Sequence, residues 1–347
     1  MMTMISFAKN SVLKLMIHGL NLYYWFSNRK RTGFTQQMVI SSREVKTALP
    51  LDGPKFMRYP SFVIENDLPY LVSYGFQNGW RIFVQRNFRT PVCLTPDSGY
   101  QNNKGPSAVF YGGFLYIAFH SGFRGHRQIK VAKSNHTLIH IDEVTIVPDG
   151  LKGDMHYPFL TVNNDTMFLL FSIRRESYRF ENYYVIVNDS LKWSKPHRVQ
   201  LPGTQGRRLQ CVCDENGLFY VTWETYGKVY LGISSNFKRW EVADIIDVNS
   251  YRPRISKVGE LIRIVYEKHT DDINQIKLAT WCKSSIHYET LYESCDYLSR
   301  PSNIIDVGDH TLVAWTSHQI GGEQIFYRQM KVAPVVEPEY IFEEVYE

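Results

Sequence analysis

Six dipeptides built from side chains that bind charge or move protons recur along this chain: Arg58-Tyr59, Lys104-Gly105, His156-Tyr157, Arg207-Arg208, Tyr251-Arg252 and Ser299-Arg300. Each stands directly before an apolar stretch opened by Pro60, Pro106, Pro158, Leu209, Pro253 or Pro301. Guanidinium groups are planar forks that bind carboxylate, sulfate or phosphate through paired, charge-assisted hydrogen bonds. Arg58, Arg208, Arg252 and Arg300, helped by Lys104, His120 and Tyr59, are therefore candidates for holding an anion. Glu224, Glu267, His156 and Tyr157 are the candidates for proton transfer. Two carboxylates flanking a glycosidic bond can hydrolyse it. A tyrosine and a histidine beside a neutralised uronate favour proton abstraction and elimination instead. Asp154 is a further candidate acid. The plainer alternative is that the two glutamates neutralise the cations in ion pairs between repeats.

The spacing of these groups implies the elements that carry them. The apolar stretches start 44 to 52 residues apart, and an aromatic residue follows each start by 13 or 14 positions: Tyr74, Phe119, Phe171, Trp223, Tyr266 and Trp315. Between start and aromatic lie two short strands joined by turns such as Tyr111-Gly112-Gly113 or Asn163-Asn164-Asp165, whose residues tolerate positive φ. A third strand follows each aromatic, and fourth strands are less distinct. A unit of four strands repeated six times predicts an all-β, six-bladed β-propeller. In such a propeller the first strand of each blade begins where the second ends. The dipeptides before the prolines thus converge on one rim with the residues after the aromatics, Gly75, His120, Ser172, Glu224, Glu267 and Thr316.

Composition fits one large repeating unit over residues 35–335, with 44% hydrophobic and 14% aromatic residues. A net charge of +5 gives no reason to expect a nucleic-acid partner. Five cysteines, Cys93, Cys211, Cys213, Cys282 and Cys295, have no zinc-finger spacing. They read as buried thiols, and neither a metal nor another cofactor is expected. Sequons at Asn135, Asn164 and Asn188 leave the compartment open. Residues 1–34 fall outside the repeat. Their apolar run from Val12 to Phe26 is interrupted by Lys14, His18 and Asn21, which suits an amphipathic or docking segment, with membrane contact as an option, better than a spanning helix. The acidic tail, 336–347, can add a strand, bind another chain or stay solvated.

Arg58-Tyr59-Pro60 resembles the Arg-x-Pro that opens the first blade of sialidases, in which the arginine holds a carboxylate. Asn188-Asp189-Ser190-Leu191-Lys192-Trp193 and Ser234-Ser235-Asn236-Phe237-Lys238-Arg239-Trp240 resemble the Asp-box turns of the sialidase-like BNR-repeat propellers. Such turns are structural in that family. His156-Tyr157-Pro158-Phe159, with Arg174, Tyr183-Tyr184 and Trp193, is similar to BNR-repeat proteins that include polysaccharide lyases of the ulvan type. The chain departs from that pattern at Asn103-Lys104-Gly105-Pro106, where the family places an imidazole for proton transfer; His120 or His126 could substitute. The resemblance implies recognition of an acidic carbohydrate (sialylated, uronic or sulfated), with or without its cleavage, and an extracellular or virion-associated setting. The alternative is a non-catalytic lectin, or a viral or phage structural propeller.

Overall fold

The computed structural model describes residues 45–47 and 55–331, less the short segments 66–67, 78, 87–90, 96–100, 135–140, 148–150, 177–178, 188–191, 203–205, 271–272, 283–284, 295–298, 308–309 and 318–323. The segment 1–34, the tail 336–347, Cys295, Asn135 and Asn188 with the first half of its turn lie outside the described residues.

Six antiparallel sheets follow one another along the chain and form a six-bladed β-propeller. Their first strands are Lys55–Glu65, Lys104–Tyr111, Asp154–Asn163, Arg207–Cys213, Ser250–Val258 and Arg300–Val307. Each first strand packs against the first strands of the blades on either side, so they form a closed inner ring. Side chains stitch this ring together. Ser61 Oγ accepts the Ala108 N–H at 3.2 Å, Ser107 Oγ accepts the Leu160 N–H at 2.9 Å, and Asn303 Nδ2 donates to the Phe62 carbonyl at 3.3 Å. The last blade closes with a strand from the start of the chain. Val45–Thr47 pairs antiparallel with Gln324–Lys331 as its outer strand, with Val45 opposite Arg328.

Apolar side chains bury between neighbouring blades rather than in one central core. Val72, Tyr70 and Ile82 of blade 1 face blade 2, whereas Leu71 and Phe83 of the same sheet face blade 6. In blade 3 the run Met167-Phe168-Leu169-Leu170-Phe171 sends Met167, Leu169 and Phe171 toward blade 2, and Phe168 and Leu170 toward blade 4. Both faces of these strands are covered, which is why the middle strands read as continuous apolar runs. Outer strands such as Val92–Cys93 and His197–Arg198 are only two residues long, so they have little periodicity to detect. The turn at Ser234–Trp240 buries Trp240, while Asn236 Oδ1 accepts the Lys238 and Arg239 N–H groups at 3.0 and 3.1 Å.

Registration corrects the expected phase in two blades. Arg58 pairs with Tyr74, Lys104 with His120, His156 with Ser172, Arg207 with Glu224, Tyr251 with Glu267, and Arg300 with Thr316. Phe119, Phe171, Trp223, Tyr266 and Trp315 each lie one residue before this row and pack against the preceding blade. Tyr74 does not share their position. It belongs to the rim row with His120, Glu224 and Glu267, and buried Ser73 stands in the place of the inter-blade aromatic. Likewise Arg300 is equivalent to Arg58 and Arg207, not to Arg208 and Arg252.

Candidate functional site

Every inner strand carries a β-bulge just after its rim residue, with the ladder slipping between Arg58 and Ser61, Lys104 and Ser107, His156 and Phe159, Arg207 and Gln210, Tyr251 and Arg254, and Pro301 and Asn303. In five blades the bulged residue is left-handed: Tyr59 (φ 46°), Gly105 (φ 60°), Tyr157 (φ 54°), Arg208 (φ 58°) and Arg252 (φ 53°). In the sixth the equivalent position is Pro301, whose ring forbids positive φ; it stays paired with Trp315, and the extra residue is Ser302. A left-handed non-glycine residue costs about 1–3 kcal/mol. A bulge also re-aims side chains at a strand end. Four such strained residues at equivalent positions build the mouth of the ring.

The mouth encloses a cavity of about 300 Å³ whose wall includes Tyr59, Tyr74, Lys104, His120, Arg127, His156, Tyr157, Arg208 and Arg254. Gly105 makes room in this wall, because a Cβ there would lie 3.2 Å from His120 Cε1. Arg208 lies over the Tyr157 ring at 4.8 Å, and Arg58 and Lys104 lie over Trp80 at 4.9 and 4.8 Å. Arg300 Nη1 donates to the Tyr59 hydroxyl at 3.0 Å, and the Tyr59 ring stacks on Tyr74.

Glu224 and Glu267 sit behind this wall and do not line it. Glu224 is 1% exposed; its Oε1 accepts Arg207 Nε at 2.5 Å and Arg208 Nη1 at 2.7 Å, and its Oε2 accepts the Arg252 N–H. Glu267 is 0% exposed and binds the Arg252 guanidinium, His269 Nε2 at 2.6 Å and Asn274 Nδ2 at 2.7 Å. Burial alone would raise both carboxyl pKa values. The Arg208 and Arg207 charges on Glu224, and the His269 and Arg252 contacts on Glu267, outweigh it and hold both below the usual carboxylate value. Both glutamates are therefore fixed, ionised counter-charges that orient the arginines.

In blade 3, beside the blade of Glu224, Asp154 accepts Arg174 Nη2 at 2.7 Å and His156 Nε2 at 3.0 Å, while Arg127 Nη1 lies 3.0 Å from His156 Nε2 and 3.1 Å from its Nδ1. The Asp154 carboxylate beside Nε2 favours the tautomer that carries its hydrogen there, and leaves Nδ1 to accept from Arg127. Burial, then the Arg127 charge, pushes the His156 pKa down to about 4. Burial and Arg127 likewise push His120 down to about 3. Asp154 stays below the usual value because backbone N–H and His156 contacts outweigh its burial.

Tyr59 separates the effect of burial from that of the field. Burial alone raises a phenol's pKa, yet the Tyr59 pKa is lowered, because the charges of Arg252, Arg300 and Arg208 outweigh desolvation. The stacked Tyr74 is raised by burial and by Tyr59 itself. Arg254, pushed down to about 10 by burial and then Arg208, responds to the same positive field. Sequence reading missed Arg254, Arg127 and Tyr74. Arg254 had a signal, since it follows Arg252 by two residues on one strand. Arg127 lies in a loop, just before the strand that starts at Gln128, and had none.

Among the described residues no group of three His, Cys, Asp or Glu side chains gathers to hold a metal, and no helix is long and apolar enough to cross a membrane. The thiols of Cys93, Cys211, Cys213 and Cys282 are unpaired.

No family model and no curated protein matches the chain. Solved structures do match. A phage phi92 endosialidase superposes with a TM-score of 0.63 at 8% identity, over 88% of this chain and 71% of that one. Its fold is that of the sialidase-like propellers. A Trypanosoma rangeli sialidase in complex with sialic acid aligns at TM-score 0.59 and 10% identity over 81% of this chain, which spans only 55% of the sialidase. A subtype N10 neuraminidase-like protein from a little yellow-shouldered bat aligns at 0.56 and 10% identity, over 80% of this chain and 96% of its own. At such identities the match establishes the sialidase-like architecture, and the chemistry must be argued from this chain's own residues.

Proposed function

We propose that the mouth of this sialidase-like propeller binds an acidic carbohydrate, with the anionic group of the sugar held by Arg208, Arg254 and Arg300 and flanked by Arg58 and Arg252. The observation that carries this reading is the lowered pKa of half-buried Tyr59, set among Arg208, Arg252 and Arg300. A positive field strong enough to overcome desolvation of a phenol stabilises a carboxylate or sulfate at the same place. Glu224 and Glu267 hold the arginine forks in position, and Tyr157 on the cavity wall can contact a sugar ring.

Turnover by this site rests on Tyr59 and His156 rather than on Glu224 and Glu267, whose oxygens are occupied. Tyr59 is the group biased toward its phenolate, so it is the nucleophile or base. His156 is neutral at physiological pH and orients the sugar. One observation favours a second, purely binding function: Asp154, Glu224 and Glu267 are all committed to arginine or histidine partners, which leaves none of the three as a proton donor.

The test is calorimetric titration with sialylated, uronic, sulfated and neutral oligosaccharides at two salt concentrations, with product analysis in parallel. Acidic ligands should bind more weakly as salt rises, and Arg208→Ala with Arg300→Ala should abolish that binding. Equal affinity for neutral and acidic sugars would overturn the proposal. New reducing ends, or an unsaturated product absorbing in the ultraviolet, that are lost in Tyr59→Phe would assign catalysis.

A further inference from the structure

Blade 4 presents an aromatic residue where hairpin geometry disfavours one. Its second and third strands, Phe219–Thr225 and Lys228–Ser234, are joined by the two-residue turn Tyr226-Gly227, with Thr225 opposite Lys228. Both turn residues have positive φ, 47° for Tyr226 and 71° for Gly227. Asn, Asp or Gly is the usual occupant of the first of these positions. A tyrosine there is strained, and this one gains nothing from burial, since its side chain is 87% exposed, the highest value among the exposed large hydrophobics of the described residues.

The turn is held on the face of the ring that carries the cavity. Glu224, two residues earlier, binds the cavity residue Arg208, and the Gly227 carbonyl accepts the N–H of Ser250 at 2.9 Å, where the inner strand of blade 5 begins. That strand continues through Tyr251, whose ring lies 4.8 Å from His269. Gly227 approaches Tyr251 so closely that a Cβ would meet its hydroxyl at 3.1 Å. Tyr226, Tyr251 and His269 thus follow one another along the rim of blades 4 and 5, and Arg252 follows Tyr251 directly into the cation set.

We infer that Tyr226 and Tyr251 form an outer sugar subsite, which takes the pyranose ring next to the anionic one held in the cavity. This inference rests on the acidic-carbohydrate reading of the cavity and adds to it that the ligand is an oligosaccharide leaving over blades 4 and 5. The chemistry differs from that of the cavity. A tyrosine face packs on the C–H face of a sugar ring, and the Tyr251 hydroxyl and His269 imidazole can exchange hydrogen bonds with sugar hydroxyls. None of these contacts requires charge on that ring. The two-residue turn, tied to blade 5 by the Gly227 carbonyl, sets the point from which the tyrosine projects.

The test compares an acidic monosaccharide with the oligosaccharide that carries it, by calorimetry on the full chain, at low and high salt. Wild-type protein should bind the oligosaccharide about tenfold more tightly, equivalent to ~1.4 kcal/mol, and this ratio should persist as salt rises while both affinities fall. Tyr226→Asn, which suits the turn, should raise the melting temperature, remove the tenfold advantage and leave monosaccharide affinity unchanged. An advantage that survives Tyr226→Asn, or one that disappears with salt, would overturn the subsite. Failure of the wild-type protein to bind any acidic monosaccharide or oligosaccharide would instead refute the reading of the cavity.

Discussion

Replacing Glu224 by Gln tests whether the buried carboxylates serve as scaffold for the arginines. The substitution conserves shape but removes the charge that faces Arg207 and Arg208. It also puts an amide NH2 where one oxygen accepted a donor, so either the two guanidinium groups or the Arg252 N–H loses its acceptor. Breaking a buried ion pair by removing one partner costs ~3–5 kcal/mol. Arg207 and Arg208 keep 32% and 15% side-chain exposure, and water reaching them screens the orphaned charges. The expected loss is therefore about 3 kcal/mol, at the low end of that range, and a large share of the ~5–15 kcal/mol that holds a typical domain together. Equilibrium urea unfolding, with wild type and variant sharing one slope, measures it directly. The difference should also depend on pH. The folded pKa of Glu224 is lowered, so its contribution is fully present above the unfolded value of about 4.3 and is lost as pH falls through the lower folded value. A loss below ~1 kcal/mol, the level of an exposed pair, would refute the scaffold argument.

Trp223→Ala should cost about 3–5 kcal/mol in the same urea assay, because the indole is fully buried, stacks on Tyr230 and lies against both Gly206 and Gly232; a loss under ~1 kcal/mol would mean that the blade interface is not packed as described. His120 and His156, held down to about 3 and about 4, bind protons in the unfolded chain before they do so in the folded one. Stability should therefore fall as pH drops from about 6.5 toward 4, by up to ~1.4 kcal/mol per pH unit for each histidine, and His120→Gln should flatten the slope of stability against pH; an unchanged slope would contradict it.

The inner ring was legible because each blade buries both faces of its middle strands and opens its inner strand at a fixed distance from an aromatic. The exact phase at the rim was not legible. Blade 1 carries Ser73 where other blades carry the aromatic and a tyrosine one residue later, and blade 6 carries its proline one residue earlier, so Tyr74 looked equivalent to Phe119, and Arg300 to Arg208, until the pairing was known. Pro301 explains the second case, since a residue that cannot turn left-handed leaves its blade one step out of the common pattern. The closing strand Val45–Thr47 is three residues long and too short to carry a period. At the site, the chemical types were readable from the dipeptides, but the division of labour was not. Whether a glutamate faces a cavity or an arginine depends on burial from the neighbouring blade. Arg127 comes to His156 from a loop of a different blade, which no local pattern announces.

On the proposed reading, the cations of the mouth act together on one anion beside Tyr59. The chain contains 23 tyrosines, so the phenol of Tyr59 is read as the ultraviolet difference titration between wild type and Tyr59→Phe. In the free protein it should ionise below the ordinary phenol value of about 10. A saturating acidic sugar should neutralise the field of Arg208, Arg252 and Arg300 and move that ionisation upward, whereas a neutral sugar of the same size should leave it in place. An acidic sugar that binds with the Tyr59 titration unchanged, or a Tyr59 that ionises at the ordinary value in the free protein, would contradict the account.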